Sequence, residues 1–326
     1  MSRLIDAEEA TGPQALPTTA RAEAGAAVTD REAARAASRR RPKPIVPILM
    51  LAPAVLGIAI FVLIPALLAL VASFFSIPLG GGAWGWVGFG NFAKVLGDPT
   101  VQKSIVNTLV YAAITIVPSL VIGLVLALLA DSIVHGRALV RTILFLPMTA
   151  NLVAMAVVFR WIFAYQGGFA NQLLGLVGLG PVNWLGDTHT SLLTVAIVGI
   201  WRSASFTMMI FFAGLATIPT SIGEATASEG IRGWTKLTRV TLPMMKPTVA
   251  FATVITILGS VQVFDTINVM TQGGPQNSSE TLLLTTWRYG FGYFDLGSAS
   301  ALSLLLLLAL VGVGILQRRF LTGGQK

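Results

Sequence analysis

The chain has 326 residues, 54% hydrophobic and only 11% charged, with a formal net charge of +8. That composition is too apolar for a soluble protein and leaves room for several membrane spans. The absence of cysteine excludes disulfides, thiolate metal sites and a cysteine nucleophile; two isolated histidines, His135 and His189, offer little to zinc, so no metal site is expected. The basic excess sits beside apolar segments, where it acts as a topology signal and not as the footprint of a nucleic acid.

Residues 1–43 are rich in Ala, Arg and Glu with almost no large apolar side chains. Such a segment buries too little surface to offset its ordering entropy, so it is expected to be a disordered or weakly helical cytoplasmic tail. It is not expected to be a signal peptide, because no apolar core begins before Ile45 and the first apolar segment is too long. The block Arg39 to Lys43 anchors the first span, and residues 44–320 form one transmembrane domain.

Six apolar segments meet the requirement of about 20 helical residues for a hydrocarbon layer of roughly 30 Å. They are about 47–75, 105–130, 140–165, 190–217, 247–270 and 297–317. The fold class is therefore an all-α membrane protein with six transmembrane helices. Pro53, Pro65, Pro118 and Pro147 fall in or near these spans, where kinks and not breaks are expected. With the N-terminus inside, seventeen Lys and Arg lie on the cytoplasmic side against Lys94, Lys103 and Arg288 outside, which places both termini and the loop 218–246 in the cytoplasm. A cytoplasmic C-terminal tail of 321–326 follows. The outward loops, rich in Gly, Pro and Trp, read as turns and short interfacial helices.

Between spans 4 and 5 lies the one long polar island, SIGEATASEGIRGWTKLTRVTLP, Ser221 to Pro243. Ser221 followed by Glu224 has the spacing of a capping box, which predicts a helix starting there. Gly230 is placed to end it in the left-handed conformation. The expectation is a helix of about two turns carried between two membrane spans, with Arg232, Lys236, Arg239 and Lys246 as a basic rim.

Charges in the bilayer centre cost about 2.5–3.5 kcal/mol on insertion scales and so ask for a reason. Arg202 falls near the middle of span 4, and Asp265 lies toward the outer end of span 5 with Gln262 and Asn268 at helical spacing on either side. This stripe, with Arg202 and the rings of Phe206 and Phe264, would line a central cavity and touch a hydroxylated ligand; the competing reading ties Asp265 and Gln262 to neighbouring helices. Arg160 beside Trp161 reads as a snorkelling residue in an interfacial belt.

The loop resembles the motif of ABC-importer permeases: Glu-Ala-Ala, three residues, Gly, nine residues, then Ile-x-Leu-Pro. Here it reads Glu224, Ala225, Thr226, Gly230, Val240, Leu242 and Pro243, with Thr226 in place of Ala and Val240 in place of Ile. Trp201 to Pro219 and Phe264 to Pro275, followed by Glu280 and Gly297 to Ser300, resemble the sugar-importing branch, with Asn268 where Tyr is usual. Trp86 to Phe92, Leu146-Pro147, Trp161 and Asn171 are also similar, so the likeness covers about residues 45–320. It implies a maltose-type or glycerol-phosphate-type permease with the type I importer fold, in a bacterial plasma membrane. The loop would be a coupling helix seated in a groove of a separate ATPase. The implied partners are a second homologous permease, two copies of the ATPase subunit and an extracytoplasmic solute-binding protein.

No Gly-Lys pair occurs anywhere, so the phosphate loop Gly-x4-Gly-Lys-Ser/Thr is missing and this polypeptide does not itself hydrolyse ATP. It is expected to be no enzyme and to hold no cofactor, with ATP and Mg bound by the partner. The alternative within transport is a self-sufficient ion-coupled secondary carrier, which predicts activity from this chain alone and intramembrane acid–base pairs beyond Arg202 and Asp265. An intramembrane enzyme would need convergent nucleophile, base or metal ligands within the spans, and no such cluster occurs in the sequence.

Overall fold

The computed structural model describes residues 45–78, 82–133 and 136–322. The tail expected over 1–43 lies outside the described residues, as do the last four residues of the segment 321–326. Among the described residues, five helices are long and apolar enough to cross a membrane, or six if one bent pair counts as a single span.

The first span comprises α1 (Ile45–Ile58), a π-helical turn (Ala59–Leu63) and α2 (Ile64–Ala72). Up to Pro65 it forms a unit of its own in which no described residue is buried. The wider π turn ends two residues before Pro65, where it takes up the clash that a proline ring makes with the carbonyl four residues earlier.

The second unit begins at Ala66. A two-residue antiparallel ladder, β1 (Phe75–Ser76) with β2 (Gly85–Trp86), is the one departure from an all-α chain among the described residues, with Phe75 opposite Trp86. After α3 (Gly90–Gly97), the 34-residue α4 (Pro99–Ser132) starts at Asp98, whose carboxylate accepts from the Thr100 N–H at 2.7 Å. At 1.5 Å per residue α4 is about 50 Å long, more than the hydrocarbon thickness, so it tilts or projects beyond it.

α4 packs along α8 (Ser191–Leu215) through small residues, the usual means by which membrane helices approach without a hydrophobic drive. A Cβ on Gly123 would overlap Thr207 Oγ1 and lie 2.9 Å from the Met208 backbone nitrogen; one on Gly199 would overlap Tyr111 Oη. The Thr207 hydroxyl donates to Ser119 O at 2.8 Å, a hydrogen bond between the two helices. Gly199→Ala is therefore expected to destabilise the chain by about 1–3 kcal/mol through overpacking. Adding Tyr111→Phe, which removes the overlapped oxygen, should recover part of that loss in a thermal melt.

The third span differs from expectation. Instead of one kinked helix over 140–165, α5 (Arg137–Thr149) and α6 (Leu152–Ile162) meet at 94°. Pro147 lies inside α5 without breaking it. The break falls at Ala150–Asn151 because the Asn151 side chain accepts from Val153 N (3.0 Å) and Ala154 N (3.2 Å), capping a new helix.

α7 (Phe169–Leu176) follows, then α8, α9 (Thr220–Ser228), α10 (Gly233–Lys236), a π turn (Leu237–Thr241) and α11 (Leu242–Met244). This second π turn also ends two residues before a proline, Pro243. Span 5 is α12 (Lys246–Val261) and α13 (Asp265–Met270), separated by Gln262 to Phe264. α14 (Leu282–Trp287), a third π turn (Arg288–Gly292) and α15 (Leu296–Thr322) are the last elements among the described residues. Leu, Ile, Val and Phe are exposed along the spans, the inverse of a water-soluble surface and the surface a bilayer requires.

Candidate functional site

Two regions collect the residues singled out by the sequence. The first is the polar loop between α8 and α12. Its helix α9 begins at Pro219 with no side-chain cap, so the capping box expected from Ser221 and Glu224 does not form. Pro219, extended at φ −58° and ψ 138°, takes the capping position itself with no side chain that could accept a hydrogen bond, so the cap falls two residues before Ser221 and Ser221 lies within the first turn.

The other end is as expected. Gly230 has φ +73° and donates to Ala227 O at 3.1 Å, while Ile231 N donates to Thr226 O at 2.8 Å. That pair of bonds satisfies two carbonyls the helix end would leave open. Thr226 is the buried residue of α9, its hydroxyl satisfied by Gly223 O at 2.8 Å, whereas Glu224, Ala225, Ser228 and Glu229 are exposed. Val240 and Leu242 on the second limb are half-buried and Pro243 is exposed. Between the limbs lies a cavity of about 540 Å³ lined by Leu128, Asp131, Ile222, Trp234, Lys236 and Val240 among others. Trp234 itself is 76% exposed. α9 thus presents a polar outer face; residues 216–219 join it directly to α8, while residues 229–245, which hold α10, the second π turn and α11, lead from it to α12.

The second region is a cleft of about 490 Å³ beside the break in span 5. It brings together Gln262, Phe264 and Asp265, and leaves Arg202, Phe206 and Asn268 outside its lining. The continuous helical stripe expected from Gln262, Asp265 and Asn268 is not formed, because α12 ends at Val261 and a new helix starts at Asp265. The facing wall is aromatic. Phe264 and Trp287 lie 5.9 Å apart between ring centroids, and Trp287 stacks on Phe291 at 6.1 Å. Ser300 and Ser303 of α15 add hydroxyls. Sequence reasoning missed Trp287, Phe291 and Ser303, although the i, i+4 spacing of the two aromatics was a usable signal.

Arg202 and Phe206 share a face of α8 with Met209 and Ala213, at i, i+4, i+7 and i+11. The Arg202 Nε is buried with no hydrogen-bond partner. Arg160 donates weakly to Val269 O at 3.4 Å, and Trp161 beside it is exposed.

The aromatic wall is held by a polar knot in the segments that follow α13, at the far end of span 5 from the 218–246 loop. Arg288, first residue of the third π turn, pairs with Glu280 and with Gln272 O, and Tyr289 donates to Asp98. Glu280 is fully buried, and its other oxygen accepts from Thr285 Oγ1 at 3.0 Å. Asn107 of α4 ties the backbone here, donating to Asn277 O and Glu280 O at 2.9 Å each. Burial raises the Glu280 pKa, partly offset by Arg288. The hydrogen bond from Tyr289 holds Asp98 below the usual carboxylate value.

The two acids act in opposite senses on stability. Asp98 binds its proton less readily folded than unfolded, so its contribution is present at neutral pH and lost as pH falls through its lowered native value. Glu280 contributes in acid and loses that contribution as pH rises through its raised native value. Tyr289→Phe is therefore expected to lower the melting temperature at neutral pH and to flatten its fall in acid, since Asp98 then has less stabilisation to lose; an unchanged profile would show that Asp98 owes nothing to the phenol.

Among the described residues no group of three or more His, Asp or Glu is gathered as a metal site. A family profile described as "Binding-protein-dependent transport system inner membrane component" matches residues 119–322. The chain is 31% identical over 255 residues to the sulfoquinovosyl glycerol transport system permease protein SmoG of Agrobacterium fabrum, covering 78% of this chain and 83% of that one. It is 32% identical over 285 residues to the sn-glycerol-3-phosphate transport system permease protein UgpA of Rhizobium meliloti, covering 86% and 96%. Its fold is similar to a chain in the crystal structure of a bacterial ABC transporter involved in the import of the acidic polysaccharide alginate, with TM-score 0.73, 23% identity, and 84% and 95% of the two chains covered.

Proposed function

The chain belongs to the family of binding-protein-dependent transport system inner membrane components, and from that premise we propose that it forms half of the translocation pathway for a carbohydrate or related polyol, driven through its 218–246 loop by a separate ATPase. It is a multi-pass, non-catalytic permease subunit of an ABC-type importer handling carbohydrate- or polyol-like substrates. The finer reading assigns the maltose and glycerol-phosphate type. α9 is the coupling helix, with Glu224, Ala225 and Gly230 at the ATPase groove and Thr226, Val240, Leu242 and Pro243 bracing it from behind. Both termini and this loop face the cytoplasm of a bacterial cell. A second homologous permease completes the pathway, two ATPase copies bind ATP and Mg, and an extracytoplasmic binding protein delivers the solute.

The observation that carries this reading is the exposed two-turn helix closed by Gly230 and joined to spans on both sides, since tilting α9 pulls on α8 and α12 together. The cleft beside the span 5 break suits a hydroxylated ligand. Ring faces of Phe264, Trp287 and Phe291 accept the apolar side of a sugar, while Asp265, Gln262, Ser300 and Ser303 offer the donors and acceptors its hydroxyls need. Arg202 and Phe206 belong to the pathway wall shared with the second permease, and Asn268 supports the same end of span 5.

Co-purification from native membranes tests the assembly: the account expects two ATPase copies and one related permease per chain. Transport assays test the cleft. Trp287→Ala and Asp265→Ala are each expected to cut uptake about tenfold or more, the scale of one lost stacking or charged contact. Unchanged rate and selectivity in both variants would remove the cleft from the pathway.

A further inference from the structure

The connection between α6 and α8 carries an eight-residue helix, α7, far short of the roughly 20 residues that cross a bilayer. It is closed as a unit of its own. Gly178, with φ +77°, donates to Gly175 O at 3.1 Å, and Leu179 N donates to Leu174 O at 3.0 Å.

At about 100° per residue, α7 separates into three faces. Ala170, Asn171 and Leu174 are half-buried and turn toward the chain. Asn171 is the clamp on that side: its Nδ2 donates to Tyr165 O (3.1 Å) and Val182 O (3.0 Å), and its Oδ1 accepts from Val182 N (3.0 Å) and Trp184 Nε1 (2.8 Å). Gln172 and Gly175 form a second, exposed polar face. Phe169, Leu173, Leu176 and Val177 fall within an arc of about 100° on the third. All four are exposed, Leu176 at 83% and Val177 at 71%.

The residues that lead into that face along the chain are exposed and apolar as well. Val153, Val157 and Val158 of α6 are exposed, followed by Trp161 and Tyr165, which are of the types that gather at the headgroup level. We propose that α7 lies in the plane of the membrane interface, on the side opposite the 218–246 loop, with Phe169, Leu173, Leu176 and Val177 against the acyl boundary and Gln172 in water. The partner is a lipid surface. A row of rings, Trp201 to Phe159 (5.1 Å), Phe159 to Phe163 (6.2 Å) and Phe163 to Trp184 (5.6 Å), joins α8 and α6 to the Asn171 clamp. The anchor thereby fixes the depth of both spans at that end while their other ends respond to the loop.

Because the chain contains no cysteine, each single substitution supplies its only thiol. Spin labels at Leu173→Cys, Leu176→Cys and Gln172→Cys would be placed on the full chain, in its assembled complex, in vesicles of phosphatidylcholine and phosphatidylglycerol. The proposal expects a ratio of oxygen to nickel-chelate collisions several-fold higher at the two leucine positions than at Gln172→Cys. Equal ratios at all three positions would overturn it. So would nickel access at 173 and 176 that disappears only when the solute-binding protein is added, because the face would then be a protein dock. Neither outcome bears on the coupling role of α9, which the uptake assays test separately.

Discussion

Replacing Gly230 by valine is expected to reduce uptake by about 5- to 30-fold while leaving the spans inserted. The glycine sits at φ +73°, and forcing an L side chain into that region costs about 1–2 kcal/mol, or more for a β-branched residue, at 1.4 kcal/mol per factor of ten. Nothing lies within 4 Å of a Cβ added there, so the effect isolates backbone conformation from crowding. The end of α9 would reopen, freeing the carbonyls of Thr226 and Ala227 and loosening the helix. Gly230→Asn should recover much of the activity, since asparagine tolerates the left-handed conformation. The ATPase retained on the tagged permease, measured beside uptake, should fall in the same order.

Removing the partner of Glu280 should have the largest effect on stability. Arg288→Met leaves a fully buried carboxylate with only Thr285 to serve it, and breaking a buried pair in this way costs about 3–5 kcal/mol. The loss should appear as a lower melting temperature of the purified complex. It should be greatest at neutral pH and above and shrink in acid. Without Arg288 the raised pKa of Glu280 rises further, and protonation then removes the stranded charge. Glu280→Gln combined with Arg288→Met should be less damaging than Arg288→Met alone. Uptake should fall with stability, since Arg288 opens the turn that presents Trp287 and Phe291 to the cleft.

The large features of this fold were legible because they rest on composition. Twenty-residue apolar runs admit few alternatives to spans, and Gly230 after a short helical segment could be read as a left-handed stop because only the backbone decides it. Breaks within spans were harder. Asn151 breaks span 3 by capping α6, its side chain accepting from Val153 N and Ala154 N, whereas Pro147, where a kink was expected, lies within α5 without breaking it. Gln262, Asp265 and Asn268 have helical spacing in sequence, yet the helix stops at Val261, so spacing alone misplaced them on one face. Ser221 and Glu224 matched a capping box whose geometry Pro219 pre-empted. Trp287 and Phe291 escaped notice because their role depends on the distant anchors Glu280, Gln272 and Asp98 that position the turn between them.

The central claim is that the energy for transport enters through α9 from another polypeptide. The direct test is solute accumulation in proteoliposomes of defined content, with the binding protein outside. Vesicles holding both permeases and the ATPase should accumulate solute when ATP is supplied to the loop side, and vesicles holding this chain alone should not, under any imposed ion gradient. Accumulation by the chain alone, driven by protons or sodium, would contradict the account and restore the ion-coupled carrier.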